Sequence, residues 1–177
     1  MRVEWRSFLL RPQPGAKRDL EKFRAYTRSW ARPGAEEDSG SFRSWQGDAG
    51  PPSHSIPPHL VAKAAAEFSA DSFHAVHDAL LRAYFADSRD ITDPETLRAV
   101  WAEAGLPAQE FARSENPELL QRTLREHESA LEAGVTGAPA VQLKGNDAVI
   151  VGAHPLELYR RWLRRTRAAR DEAVSAR

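Results

Sequence analysis

Not one of the 177 residues is a cysteine. This excludes disulfides, thiolate-bound metal and a thiol nucleophile within the sequence as it stands. Net charge is lacking too: 25 Lys and Arg residues face 25 Asp and Glu residues, so no global field favours nucleic acid or an anionic bilayer. Long apolar runs are also missing. No window approaches the ~20 apolar residues that a spanning helix needs. The opening "MRVEWRSFLL" has too short an apolar part for a secretory leader, and no small-residue cleavage site follows it. As written, the chain reads as cytoplasmic, with neither membrane nor nucleic acid among its partners. No internal repeat is visible.

What is present suits a globular domain with a real core, at 41% hydrophobic and 28% charged residues. Residues 3–10 are apolar with interspersed Arg and Ser and are closed by "RPQPG", which predicts a strand. Over residues 16–30, Leu20, Phe23, Thr27 and Trp30 recur at helical spacing. Residues 32–59 are rich in Gly, Pro and Ser and carry neither period. They read as a long loop, of a kind often functional.

A dense helical region follows. Residues 59–68 are Ala-rich, and Asp71 is placed to cap a helix with Phe73, Val76, Leu80, Leu81 and Tyr84 on one stripe. Thr92, Pro94, Glu95 and Gly105 give the start and stop signals of the next, whose buried face is Leu97, Val100, Trp101 and Ala104. A short helix begins near Pro107, and a longer one starts at Asn116 and Pro117, with Leu120, Leu124 and Leu131 expected inward and a stop at Gly134. Residues 140–143 and 148–151 are short apolar runs separated by "KGND", a hairpin. Pro155 opens a final helix carrying Leu156, Tyr159, Trp162 and Leu163 on one face, frayed by a basic tail.

Few side chains suggest chemistry of their own. His74 and His77 stand at i, i+3 without an evident third ligand, so no metal is expected. The basic tail has Asp171 and Glu172 beside it and no aromatic stacking platform, which reads as a solvated helix end. Pro139 stands where a strand begins. A proline has no N–H for a ladder, so it is an entrance feature there.

The succession "LLRAYFADSRDITDPETLRAVWAEAGLP", then "ALEAGVTGAPAVQL", then "VIVGAHPLELYRRWL" resembles the DsbA family of thioredoxin-fold proteins, in particular its FrnE-like branch. The resemblance implies an α/β thioredoxin-like fold with a helical insertion: residues 1–31 and 134–177 form the thioredoxin-like part, and residues 32–133 the long loop and insertion. It also implies a cis bond before Pro139, closing a Val-x-Gly-x-Pro signature at Val135, Gly137 and Pro139. Thr136, Gly137, Ala138 and Pro139 would then dock an extended substrate as an added strand. "SHSIPPHLVAKAA" sits where related chains carry an Asn-Ser/Thr-x-x-Ala-His-Arg motif; Ser55 and His59 keep that pattern, whereas His54, Pro58 and Leu60 depart from it. Ser55 and His59 are therefore cleft-lining candidates.

The same resemblance implies a first strand, a Cys-x-x-Cys and a helix ahead of residue 3, and none of these is in the sequence. Without that strand a sheet would have a gap of about 9–10 Å, twice the normal spacing. A longer natural chain, a strand-donating partner or a homodimer, or a rearranged sheet would resolve this, and an N-terminally truncated chain is the expectation. No catalytic residue is assigned and no bound cofactor is expected. A full-length form would act on a small-molecule thiol or an extended peptide, with glutathione or another low-molecular-weight thiol as cofactor. The alternatives are a glutathione-dependent isomerase of the same fold, similar to the chromene-carboxylate isomerases, and a non-catalytic binding module.

Overall fold

The computed structural model describes residues 3–15, 19–36 and 39–175, with side chains up to residue 168 in the last helix. The elements in order are α1 (Leu20–Thr27), α2 (Ile56–Ala66), α3 (Ala70–Phe85), α4 (Pro94–Glu103), α5 (Pro117–Glu132), β1 (Ala140–Gln142), β2 (Val149–Val151) and α6 (Leu156–Ser175). Short 3-10 segments follow α1 and precede α5. The chain divides into two compact units, Met1–His127 and Glu128–Arg177, with the division inside α5. This cut differs from a thioredoxin-like part formed by residues 1–31 and 134–177. Residues 3–31 join the helical unit because Phe23 and Trp30 share an aromatic cluster with Trp45, Tyr84 and Phe85.

The larger core of that unit is helical. Val61, Ala64 and Ala65 of α2, Val76, Ala79, Leu80 and Ala83 of α3, Leu97, Val100 and Trp101 of α4 and Leu119 of α5 form one buried cluster. Small residues on α2 and α3 let the two helices approach closely, which is why the Ala-rich stretch is core rather than surface.

Local signals decide the helix ends, not always at the expected residue. Asp93, rather than Thr92, caps α4, its carboxylate accepting from the amides of Glu95 and Thr96, with Pro94 in the first turn. Thr92 instead donates to Asp90. Ser69, rather than Asp71, caps α3 through the Ser72 amide. Leu81 is exposed, and Val76, Ala79, Leu80 and Ala83 are buried. On α5 the buried pair is Leu119 and Thr123; Leu124 and Leu131 are exposed. The inward stripe therefore lies one residue away from the expected leucines, because Leu119 closes the α2–α4 core. Of the expected helix over residues 16–30, residues 16–18 lie outside the described residues and Leu20–Thr27 is helical.

The strand expected at residues 3–10 does not form: these residues join no ladder, and Leu10 lies in a bend. A strand exists only through a neighbour. Here the amides that would pair with one meet side chains instead, as described below. Among the described residues the only sheet is the two-stranded antiparallel hairpin, with Ala140 opposite Val151, Val141 opposite Ile150 and Gln142 opposite Val149.

The long loop is well tied down. The Arg43 amide donates to Phe85 O (2.9 Å), the Trp45 amide to Thr27 Oγ1 (2.9 Å) and the Gln46 amide to Ser88 Oγ (2.9 Å). Gly47 passes so close to α3's end that a Cβ would stand 2.3 Å from Ser88 O. Gly47→Ala therefore forces a backbone shift and lowers stability by about 1–3 kcal/mol, to be read as a fall in denaturation midpoint at constant m-value.

Candidate functional site

Two groups of residues carry the expected site, one in each unit. In the unit Glu128–Arg177, α5 stops at Gly134, whose φ of +83° favours glycine. Thr136, Ala138 and Pro139 are exposed and Gly137 is partly so. The Ala138–Pro139 bond is cis. Pro139 O accepts from the Gly152 amide (2.8 Å), which extends the hairpin register by one pair. In an antiparallel ladder hydrogen-bonded pairs alternate. Pro139 and Val141 thus turn their bonding groups toward β2, while Ala140 and Gln142 turn theirs outward. Every residue of β1 is exposed, and this outer edge has no strand beside it among the described residues. Tyr159 of α6 donates its hydroxyl to Gly152 O (2.8 Å) and holds the far strand in place.

In the unit Met1–His127, Ser55 and His59 lie at the start of α2, beside the extended segment. The Ser55 amide donates to Arg11 O (2.8 Å) and the Arg11 amide donates back to Ser55 Oγ (3.0 Å). Ser55 thus clamps the segment at residue 11. His59 Nδ1 and Ser7 Oγ form a 3.1 Å hydrogen bond.

Four further side chains complete this cluster, and the motif reading missed them. Glu126 Oε2 accepts from the Ser7 amide (2.8 Å) and from Lys63 Nζ (2.5 Å), and Oε1 accepts from Arg122 Nε (2.9 Å). His127 Nδ1 accepts from the Leu9 amide (3.2 Å). Amides 7, 9 and 11 point to one edge of the segment at strand period, and side chains of α5 and Ser55 stand in for a neighbouring strand. On the opposite edge the amides of Phe8 and Leu10 have no hydrogen-bond partner among the described residues. The one sequence signal for this cluster was Lys63, a lone charge inside the run Val61, Ala62, Ala64, Ala65.

The electrostatics follow from enclosure. Burial pushes the Lys63 ammonium down, against the hydrogen bond and charge of Glu126 that hold it up. Burial pulls the Glu126 carboxyl up, but the hydrogen bonds from Lys63 and the Ser7 amide outweigh it and keep it below its ordinary value. His59 is lowered to about 4, first by burial and then by the Lys63 charge. Burial also lowers His77, whose ring lies 5.0 Å from that of Trp5 and stacks on Phe73. Neither group of residues contains a nucleophilic sulfur, since the chain has none. Among the described residues no set of His, Asp and Glu side chains could hold a metal ion, and no helix is long and apolar enough to cross a membrane.

Comparison with known proteins agrees with this architecture. The model of the DSBA-like thioredoxin domain matches residues 51–164, well over half of the chain, and the chain belongs to that family. Its fold is accordingly the α/β thioredoxin-like one with a helical insertion. Among solved structures it is similar to a "putative protein disulfide isomerase from Nitrosomonas europaea", with a TM-score of 0.56 and 20% identity over 63% of this chain. The match spans 59% of the length of that protein's chain. No curated protein matches the chain.

Proposed function

We propose that this chain is the docking and scaffolding part of a DsbA-like thiol–disulfide oxidoreductase of the FrnE-like branch, acting in the cytoplasm. Thiol–disulfide exchange begins with a thiolate attacking a disulfide sulfur. With no cysteine, this chain supplies no such attack, and the thiol comes from a longer form of the protein or from a strand-donating partner, with a low-molecular-weight thiol as its reductant. What this chain contributes is substrate binding. The observation that carries the reading is the fully exposed β1, whose outer edge offers the N–H and C=O groups of Ala140 and Gln142 beside Thr136, Gly137, Ala138 and Pro139. Such an edge takes an extended segment as an added strand, a peptide on this chain or the first strand where a partner donates it, with affinity from the main chain and tolerance of sequence.

The test is a titration of the ¹⁵N-labelled protein with a short, soluble, Val/Thr-rich peptide free of cysteine. Amide shifts are expected at residues 136–142. Gln142→Pro removes one outward donor without touching the ladder and weakens binding about fivefold, the worth of one net hydrogen bond of ~1 kcal/mol. Hairpin amides that do not move, or a Gln142→Pro variant that binds like the original, overturn the proposal. If reduced glutathione alone moves these amides and the peptide does not, the glutathione-dependent isomerase reading replaces it.

A further inference from the structure

The extended segment of residues 5–11 is held in an unusual way. It lies against a helical body with alternate amides turned inward, yet the bonds that fix its inner edge end on side chains: Ser7 N–H on Glu126, Leu9 N–H on His127 and Arg11 N–H on Ser55. Among the described residues, the one backbone bond tying it down is the Ser55 amide to Arg11 O. Its buried side chains are Ser7, against His59, and Leu9, while the half-exposed Trp5 lies against His77 and Phe73. A backbone ladder is indifferent to pH, whereas a histidine enclosed beside a lysine ammonium resists protonation for as long as it stays enclosed.

We propose that residues 5–11 form an acid-released strap: protonation of His59 beneath it frees the segment from α2 and α5 while the helical core stays folded. The inference does not depend on the docking function above.

The surroundings of His59 set the direction. Lys63 faces it from its own helix α2, His77 from α3, and Glu126 and His127 from α5; of these only Glu126 favours the protonated ring. Asp78 and His74 act on His77, and Arg122 lies beyond Glu126. The closed strap therefore resists protonation, with His59 at about 4 against its ordinary 6.5. Once the strap lifts, the ring regains the ordinary value. The open form then binds the proton first, so acid favours opening in the window between 6.5 and 4. For one such group the opening constant rises about 20-fold between pH 7 and pH 5. Above pH 7 the two forms bind protons equally and opening is flat. The interaction of Glu126 with Lys63 and Ser7 persists through this window, since its carboxyl sits below its ordinary value.

Amide hydrogen exchange, corrected for the intrinsic pH dependence of the chemistry, tests this. The Ser7, Leu9 and Arg11 amides are expected to open about 20-fold more at pH 5 than at pH 7, while the Trp45 amide, bonded to Thr27, remains much better protected than they are at both pH values. His59→Gln keeps a hydrogen-bonding side chain without the titration, and is expected to reduce the rise below about threefold. Three outcomes overturn the proposal: strap amides that do not respond to pH, the same rise in His59→Gln, or strap amides that open no more readily than Trp45 at pH 5, which is global unfolding. Where His59→Gln does not fold, an NMR titration of the His59 ring in the unaltered protein decides: a ring that titrates at its ordinary value in the closed form also overturns it.

Discussion

Replacing Glu126 with alanine lowers the stability of the unit Met1–His127 by about 3–5 kcal/mol, the range for removing one partner of a buried ion pair. One carboxylate here serves three donors: Lys63 Nζ, the Ser7 amide and Arg122 Nε. Lys63 and Glu126 side chains are only 9% and 14% exposed, so water does not take over when the acid is gone. The ammonium is left enclosed without a counter-charge, and the Ser7 amide loses its acceptor, which alone costs about 1–3 kcal/mol. Arg122 is more than half exposed and simply turns to solvent. Urea titration at pH 7 reads the loss as a lower midpoint with unchanged m-value.

The mechanism makes a second demand on the same variant. Glu126 is what holds the Lys63 ammonium up against burial, so its removal lets the folded-state value fall further. The unfolded chain then binds more protons than the folded one below the ordinary lysine range, and stability rises with pH. The deficit of Glu126→Ala therefore shrinks as pH is raised from 7 toward 10. Adding Lys63→Met, which removes the orphaned charge and keeps the stem, restores most of the loss and leaves about 1 kcal/mol for the Ser7 amide. A deficit independent of pH, or unchanged by Lys63→Met, means that lost packing and not an unpaired charge is the cause.

This cluster also marks where the sequence was silent. The helices were legible because apolar residues repeat within each of them, and the hairpin because "KGND" separates two short apolar runs. The turn into β1 was legible because a helix stop at Gly134, a glycine and a proline crowd into one short stretch. By contrast, α5 carries two competing stripes, Leu119 with Thr123 and Leu120 with Leu124, and periodicity has no means of choosing between them. Residues 3–10 read as a strand because composition reports which side chains suit a strand, not whether a neighbour supplies the ladder. Glu126 and His127 lie more than 100 residues from the amides they bind, and no local pattern links such partners. Lys63 among alanines was the single visible hint.

Trp45 lies in the Gly- and Pro-rich loop where no period runs, and its replacement by alanine is expected to cost about 3–5 kcal/mol. Only 1% exposed, its ring packs edge-on against Phe23 (5.2 Å between centroids) and against Tyr84 (5.6 Å). Its indole N–H donates to Ala49 O (3.1 Å), bending the loop back on itself. Truncation leaves a void between α1 and α3 that the flanking rings of Trp30 and Phe42, fixed by their own contacts with Phe85, fill only in part. Trp45→Phe keeps a ring against Phe23 and gives up the indole bond, so less than half of that loss is expected. Near-UV circular dichroism follows the aromatic cluster and urea titration the free energy; the two are expected to fall together in Trp45→Ala. A Trp45→Ala variant within 1 kcal/mol of the original means that the loop is held by its backbone bonds to Phe85, Thr27 and Ser88, and that the tryptophan merely fills the space they enclose.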